Sequence, residues 1–493
     1  MLTHGTPTSA PTWAPATSPL VAETHFETSR LSLLHGMPHD AEVYRSGQNS
    51  WSPAGWRPLA GEPLRIENPV RRNTADDDRW DDPVRHHSSW LLALGDGVTA
   101  VLLGALEGDT PRLHADLDVL TGWNETGRPG RWVLLEGPEL AVLERYRDLL
   151  AARHGVRDRD PGTVWSSWYS FYETISRDSL GEVLPELPGL GFDTFQIDDG
   201  WQRVVGDWSP NGKFPDGMAE LARKAADLGL RAGLWLAPFI VLPTSEAFTT
   251  RRQMLLTDAA GDPVPAGANW GSPYFTYDHS RDDVHDHLAE LVHRAVDDWG
   301  FTYLKLDFLQ AATVPGVHAV PSDREAVYRR AIHTIREAAG EGTYLLGSGA
   351  PLFPSLGILD AVRTGPDVAP MWTNYATSDP SDAMALNALR NAVERLWLRG
   401  LIGVDPDVVF ARHSRNLLSR QQMQWLQDAA TLSGFRALSD PPGWLTDEER
   451  DDLRRFLGPL PATARLGRYR FLVGEREVDF APALHGTPSP YAL

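Results

Sequence analysis

YLKLDFL, residues 303–309, decides how this chain is read. Five of its seven residues are apolar or aromatic, the composition of a strand covered on both faces. Lys305 and Asp307 are two apart, so they point to the same side of that strand. A cation and an anion on one face of a core strand are either a structural ion pair or a reactive one.

Runs of the same kind recur on both sides of it: 164–171 (VWSSWYSF), 192–201 (FDTFQIDDGW), 230–239, 343–351, 359–368, 401–410 and 432–440. Amphipathic stretches with helical spacing lie between them, at 218–229, 284–300, 324–340, 385–400 and 420–434. A last one, TDEERDDLRRFL (446–457), opens with a capping box, Thr446 with Glu449. Eight strand–helix units make an α/β chain whose expected fold is a (β/α)8 TIM barrel.

The flanks read differently. Residues 21–145 carry short apolar runs between Gly, Pro, Asp and Asn turns, which predicts an N-terminal antiparallel β-sandwich. ELAVLERYRDLLAARHG (139–155) reads as a helix leading out of it. LGRYRFLVGEREVDF (466–480) reads as a small C-terminal β appendage. The expected division is a flexible lead-in at 1–20, the sandwich and linker helix at 21–160, the barrel at 161–458 and the appendage at 459–493.

Composition narrows the function classes. The chain has 493 residues and a formal net charge of −20, which argues against nucleic acid or an anionic membrane as partner. It has no cysteine, so a disulfide framework, a thiolate metal site and a cysteine nucleophile are all excluded. The N-terminus lacks the basic and apolar regions of a signal peptide, and no stretch has the apolar length of a membrane span. A cytoplasmic protein is expected, and a homo-oligomer is compatible with the sequence.

In a barrel of this kind the active site lies at the C-terminal ends of the strands. Polar residues collect there: Asp198-Asp199-Gly200-Trp201, Lys305 and Asp307, Gly347-Ser348-Gly349, Arg363 and Asp367, and Asp405-Pro406-Asp407. Taken singly, Asp199 or Asp407 could be a helix cap, and Lys305 a buried partner for Asp307. His285, His287 and His293 have the look of a metal cluster, but their spacing is read as helix surface. Two carboxylates, one nucleophilic and one acidic, are what retaining glycoside hydrolysis needs. Lys305 beside Asp307 suits the nucleophile, whose charge a cation would hold. Asp367 suits the acid, in a drier setting away from cations. On an extended run Arg363 would lie about 13 Å from it. Trp165, Trp168, Trp201 and Trp235 flank these ends as an aromatic platform for a sugar ring.

From Val164 to about Asp440 the sequence resembles the catalytic barrel of glycoside hydrolase family 36, the bacterial α-galactosidases or melibiases. The matching pieces, in order, are WSSWYSFYE, FQIDDGW, GDW with FPDGM, GLWLAPF, YLKLDFLQAATVPG, LGSGAPLFPSLG, RTGPDVAPMW and DPDVVFAR. SGQNSWSPAGW (46–56) is similar to the tryptophan-bearing loop that the family's N-terminal domain lends to its sugar site. The resemblance implies Asp307 as nucleophile and Asp367 as general acid/base. It implies Asp198, Asp199, Trp168, Trp235, Lys305, Arg363 and Trp51 as sugar-binding, with Tyr169, Ser348 and Trp201 beside them. Ser348 stands where the family commonly has Cys, and Val404 and Val408 flank Asp405-Pro406-Asp407 where it has Asn and Cys.

The expected activity is exo-acting, retaining removal of terminal α-galactosyl units from oligosaccharides of the melibiose and raffinose type, through a covalent galactosyl-aspartate and without a cofactor or metal. An α-N-acetylgalactosaminidase and a transglycosylase are the alternatives on the same scaffold. A Mg²⁺-dependent barrel lyase or isomerase, with Asp198, Asp307 and Asp407 as ligands, is the alternative from another class.

Overall fold

The computed structural model describes residues 21–66, 68–75 and 82–485. The expected lead-in, residues 1–20, lies outside them. Eight parallel strands, counted in chain order, occupy the middle of the chain. They are Thr163–Ser166, Thr194–Ile197, Arg231–Leu236, Tyr303–Leu306, Tyr344–Gly347, Ala361–Arg363, the split strand Gly403–Asp405 with Val408–Val409, and Arg436–Leu438. Each pairs with the next, and the eighth pairs with the first. The seventh divides its pairing: residues 403–405 bond strand six, and 408–409 bond strand eight. The break falls at Pro406-Asp407, where Asp407 takes φ +81°, a conformation that Asp tolerates better than most residues.

Almost every residue in these strands is buried, as in parallel strands whose two faces are covered by helices and neighbouring elements. Helices Met218–Asp227, Asp282–His293, Arg324–Ala339, Ala385–Arg395, Arg420–Ser433 and Asp447–Leu457 lie where helical spacing places them. The box at Thr446 forms as read: its hydroxyl accepts from Glu449 N, and the Glu449 carboxylate accepts from Thr446 N at 2.8 Å. The helix after 282 departs from expectation. His285 and His287 are buried, not on the helix surface, and only His293 is exposed. His285 is held between Thr334 Oγ1 and the carbonyl of His279.

Ahead of the parallel strands stand two antiparallel sheets. Six strands run in the order 22–28, 130–138, 99–107, 91–95, 42–45, 55–58, and four in the order 30–34, 119–124, 111–115, 86–89. The Trp132 ring of the first sheet lies against Gly122 of the second, where a Cβ would come within 2.8 Å of it. Helix Glu139–His154 packs on the strand 99–107 and leads into the parallel strands. Two pieces of this region matter for the site: the loop 46–52 and the short helix Pro69–Ala75. At the other end, Thr463–Arg465, Arg470–Val473 and Arg476–Asp479 form a three-stranded sheet. It is tied back through Arg468, which bonds Glu42 and Glu139.

Candidate active site

A cavity of about 370 Å³ opens at the C-terminal ends of the parallel strands. Asp198, Asp199, Trp235, Lys305, Asp307, Trp168, Asp367 and Trp51 all line it. Strands two, three and four interlock beneath it. Lys305 Nζ donates to Asp198 Oδ2 at 2.7 Å, passing over strand three. The Trp235 indole, from strand three, donates to Asp307 Oδ2 at 2.9 Å. Lys305 is therefore paired with Asp198 rather than with Asp307, which corrects the pairing expected from their spacing. A two-residue spacing fixes the side of a strand but not the azimuth of a long side chain.

Burial pushes the Asp307 carboxyl above its ordinary value; the charges of Lys305 and Arg363 and the Trp235 N–H pull it part of the way back. Its Oδ1 accepts from Phe308 N at 2.9 Å, and Phe308 takes φ +56° to make that turn. Burial also opposes the Lys305 charge, but the charges of Asp198, Asp307 and Asp367 together outweigh it and the ammonium ends above its usual value. Asp199 is no helix cap. Its carboxylate accepts from Gln202 Nε2 and, at 2.9 Å, from the indole of Trp270, and burial raises its pKa to about 6. Gly200 takes φ +112° against the backbone of Glu173, where a Cβ would clash at 2.8 Å, so the turn after the two carboxylates requires glycine.

Asp367 sits differently from the expectation. The chain bends after Arg363, and Arg363 Nη2 donates to Asp367 Oδ1 at 2.9 Å, so the distance of an extended run does not apply. The acid candidate is beside a cation, its side chain is 39% exposed, and Oδ2 accepts from the Trp168 indole at 3.3 Å. Arg363 itself is buried beneath the cavity and divides its guanidinium between Asp367, Asp407 and the Tyr169 hydroxyl. Asp407 also accepts from Tyr169 and from Val368 N, joining the loops of strands six and seven. Tyr169 and Arg363 thus stand behind the wall rather than in it.

Ser348 is fully buried and accepts from the Trp51 indole at 3.1 Å. The loop that brings Trp51 in is held by Arg395, which is buried and has no carboxylate partner among the described residues. It donates instead to the carbonyls of Ser46, Asn49, Ser50 and Ser52, and to Thr364 on the parallel-strand side. Trp201 and Trp165 are not platform residues. Both are fully buried, with their indoles on the carbonyls of Trp235 and Asp440.

Several cavity-lining groups were not read from the sequence. Trp270 and Tyr274 come from the hairpin 265–276, and Phe308 follows Asp307 directly. The turn signal Asn269-Trp270-Gly271 was there, but inside a strand-to-helix connection. Asn68 and Arg71, from the helix near residue 70, complete the rim. The metal alternative needs Asp198, Asp307 and Asp407 on one ion. Each instead faces a different partner, and among the described residues no three His, Cys, Asp or Glu side chains converge as a metal site.

Comparison with known proteins gives the geometry a family. The Melibiase family model matches residues 141–337. The solved α-galactosidase TtGalA of Thermus thermophilus, in complex with p-nitrophenyl α-D-galactopyranoside, is 42% identical, covers 97% of both chains and superposes with a TM-score of 0.87. This chain belongs to the glycoside hydrolase family 36 α-galactosidases, the melibiases. TtGalA in complex with stachyose is 43% identical over 88% of this chain and 94% of that one, with a TM-score of 0.82. The α-galactosidase AgaA of Geobacillus stearothermophilus is 30% identical over 199 residues, 39% of this chain. The matched stretch spans 26% of that longer relative.

Proposed function

We propose that the protein is an exo-acting, retaining α-galactosidase that removes terminal α-galactosyl units from oligosaccharides of the melibiose and raffinose type. The observation that carries this reading is the pair Asp307 and Asp367 on the wall of one cavity whose base is Asp198, Lys305 and Asp199. The complexes of TtGalA with p-nitrophenyl α-galactoside and stachyose support the sugar. In this reading the fold is a (β/α)8 barrel at 161–458 with an N-terminal β-sandwich (21–160) and a C-terminal β appendage (459–493).

Asp307 attacks the anomeric carbon while Asp367 gives its proton to the departing oxygen, so one C–O bond forms as the other breaks. Water then loses a proton to Asp367, attacks the same carbon and releases Asp307. Two inversions return the α configuration. Trp235 and Phe308 N hold the nucleophile's two oxygens, and Arg363 and Trp168 hold the acid's. Asp198, Asp199 and Lys305 offer charged partners to the hydroxyls of the bound sugar, and the Trp235 ring its apolar face.

The test is the product. Proton NMR during turnover of nitrophenyl α-galactoside should show α-galactose first. Asp307→Gly should be inactive until azide is added, and then yield β-galactosyl azide. β-Galactose as the first product, or an active Asp307→Gly without azide, removes the assignment. Nitrophenyl α-N-acetylgalactosaminide and α-glucoside, run alongside, decide between the galactosidase and its closest alternative.

A further inference from the structure

A second cavity, of about 280 Å³, lies away from the strand ends and shares no lining residue with the first. Three parts of the chain close it: the paired strands Glu42–Arg45 and Gly55–Pro58, helix Ala385–Arg395, and the C-terminal region at Tyr469. Nothing in the cleavage chemistry uses it.

Its charge runs against that of the whole chain. The formal net charge is −20, yet three guanidiniums, of Arg45, Arg57 and Arg390, line this cavity with a single carboxylate, Glu394. The strands bring two of the cations together. Val43 stands opposite Arg57 in the antiparallel register and Arg45 opposite Gly55, so Arg45 and Arg57 are diagonal neighbours on one face of the pair. Arg390 comes from the helix. Burial, and after it the charges of Arg45 and Arg390, works against the charge of Arg57. Burial likewise opposes the charge of Arg390, and Glu394 offsets only part of that.

The surroundings do not neutralise these cations. Among the described residues the Arg57 side chain has no hydrogen-bond or ion-pair partner. Arg390 Nη1 donates to a neutral group, Asn387 Oδ1, at 2.9 Å. Glu394 is taken up elsewhere: its Oε1 accepts from Trp56 N at 3.3 Å and from the Tyr469 hydroxyl at 2.9 Å, and burial pushes its pKa up. A charge held out of water without a partner is costly. An oxyanion of charge two would offset two such cations at once, and the planar guanidinium fork matches the oxygens of a phosphate.

We infer that Arg45, Arg57 and Arg390 form a binding site for a phosphate group, at the joint between the N-terminal sheets and the helices around the parallel strands. The strands that hold Arg45 and Arg57 flank the loop 46–52, which carries Trp51 into the catalytic cavity. Asn391, next to Arg390 on the helix, already fixes the end of that connection, its Oδ1 accepting from Ala54 N at 2.9 Å. A phosphate bound by the three arginines ties the foot of the same hairpin to the same helix.

The experiment is isothermal titration of the full chain with inorganic phosphate, in chloride buffer at matched ionic strength. Wild type should bind with a Kd of about 1 mM or tighter. Arg57→Met and, independently, Arg390→Met should each weaken binding about tenfold or more, the effect of losing a charge-assisted hydrogen bond. Arg57→Lys should keep part of the affinity, because it keeps the charge without the fork. Arg223→Met, which removes an exposed arginine of helix Met218–Asp227, should bind as wild type does. Excess galactose should leave the affinity unchanged, since the two cavities have no residue in common. Methyl phosphate, titrated alongside, distinguishes an ester-borne phosphate, which it would match, from a free one, which it would not. Wild type binding neither titrant overturns the site. So does wild-type affinity in both Met variants, an equal loss in Arg223→Met, or competition by galactose, which would put the phosphate in the catalytic cavity.

Discussion

The ammonium of Lys305 lies 2.7 Å from Oδ2 of Asp198, reaching from strand four to the end of strand two across the strand between them. Both groups are buried, so the pair is held by geometry and by the further bonds Asp198 accepts from Gln196 and Asp199 N. A pair of this kind contributes little net stability, but removing one partner leaves a buried charge.

Lys305→Met should therefore cost stability as well as activity. We expect a loss of about 3–5 kcal/mol, the scale for breaking a buried pair from one side, read as a lower urea midpoint at constant slope. The same change withdraws positive charge from Asp307, so its carboxyl should rise further and the acid limb of kcat/KM should move to higher pH. A variant as stable as wild type would show that Asp198 is solvated in solution.

The Trp235 indole gives a cleaner handle on the nucleophile. A hydrogen bond to a carboxylate favours its charged form, and Trp235 donates one to an Asp307 already raised by burial. Catalysis needs the charged form, so activity should fall as the pH drops through that raised value. Trp235→Phe removes the donor and keeps most of the ring, and should shift the acid limb upward. Movement in the other direction would assign that limb to another group, Asp199 first, whose pKa stands at about 6.

A third expectation concerns the joint between the N-terminal sheets and the parallel strands. Glu325 opens the helix Arg324–Ala339, is buried, and accepts from Gln48 Nε2 at 2.8 Å and Trp90 Nε1 at 2.7 Å. Burial, aided by Asp323, raises its pKa from 4.5 to about 7. The folded protein then keeps a proton that the unfolded chain loses, so stability should decline as the pH rises from about 4.5 to about 7. The decline should be on the order of 3 kcal/mol. Glu325→Gln keeps the shape without the titration and should flatten that part of the profile relative to wild type. Parallel profiles for the two proteins would place the proton elsewhere.

The parts of this molecule that could be read from sequence are those with a period or a dense local signal. Alternating apolar runs and amphipathic helices set out the parallel strands, and the clustering of Asp198, Lys305, Asp307 and Asp367 at strand ends pointed to one cavity. Partnership could not be read. Lys305 looked bound to its strand neighbour Asp307, and Arg363 looked remote from Asp367, because spacing along a chain says nothing of bends after a strand or of contacts across it. Tryptophans divided the same way: Trp168 and Trp235 reach the cavity, whereas Trp165 and Trp201 turn into the core. Trp270 and Arg71 escaped notice because their positions depend on a hairpin and a short helix folding back over the mouth. That is long-range packing, without local periodicity.

The roles of the two carboxylates separate by leaving group. A general acid matters most when the departing oxygen is a poor leaving group, since a good one leaves without a proton. Asp367→Ala should cripple hydrolysis of melibiose and raffinose yet largely spare galactosylation by a nitrophenyl or fluoride donor. With such a donor the galactosyl-enzyme should accumulate, visible as an added mass on the peptide that carries Asp307, because the same residue must later take the proton of the incoming water. Azide needs no such base and should relieve the block. The contact with Arg363 sharpens the comparison: Arg363→Met frees Asp367 to turn, and should slow melibiose more than the fluoride while also disturbing Asp407 and Tyr169 behind the wall. Equal slowing of all donors by Asp367→Ala, with no accumulated adduct, would move the acid to another carboxylate. Asp199 would be tested next, because it also lines the cavity and burial raises its pKa to about 6.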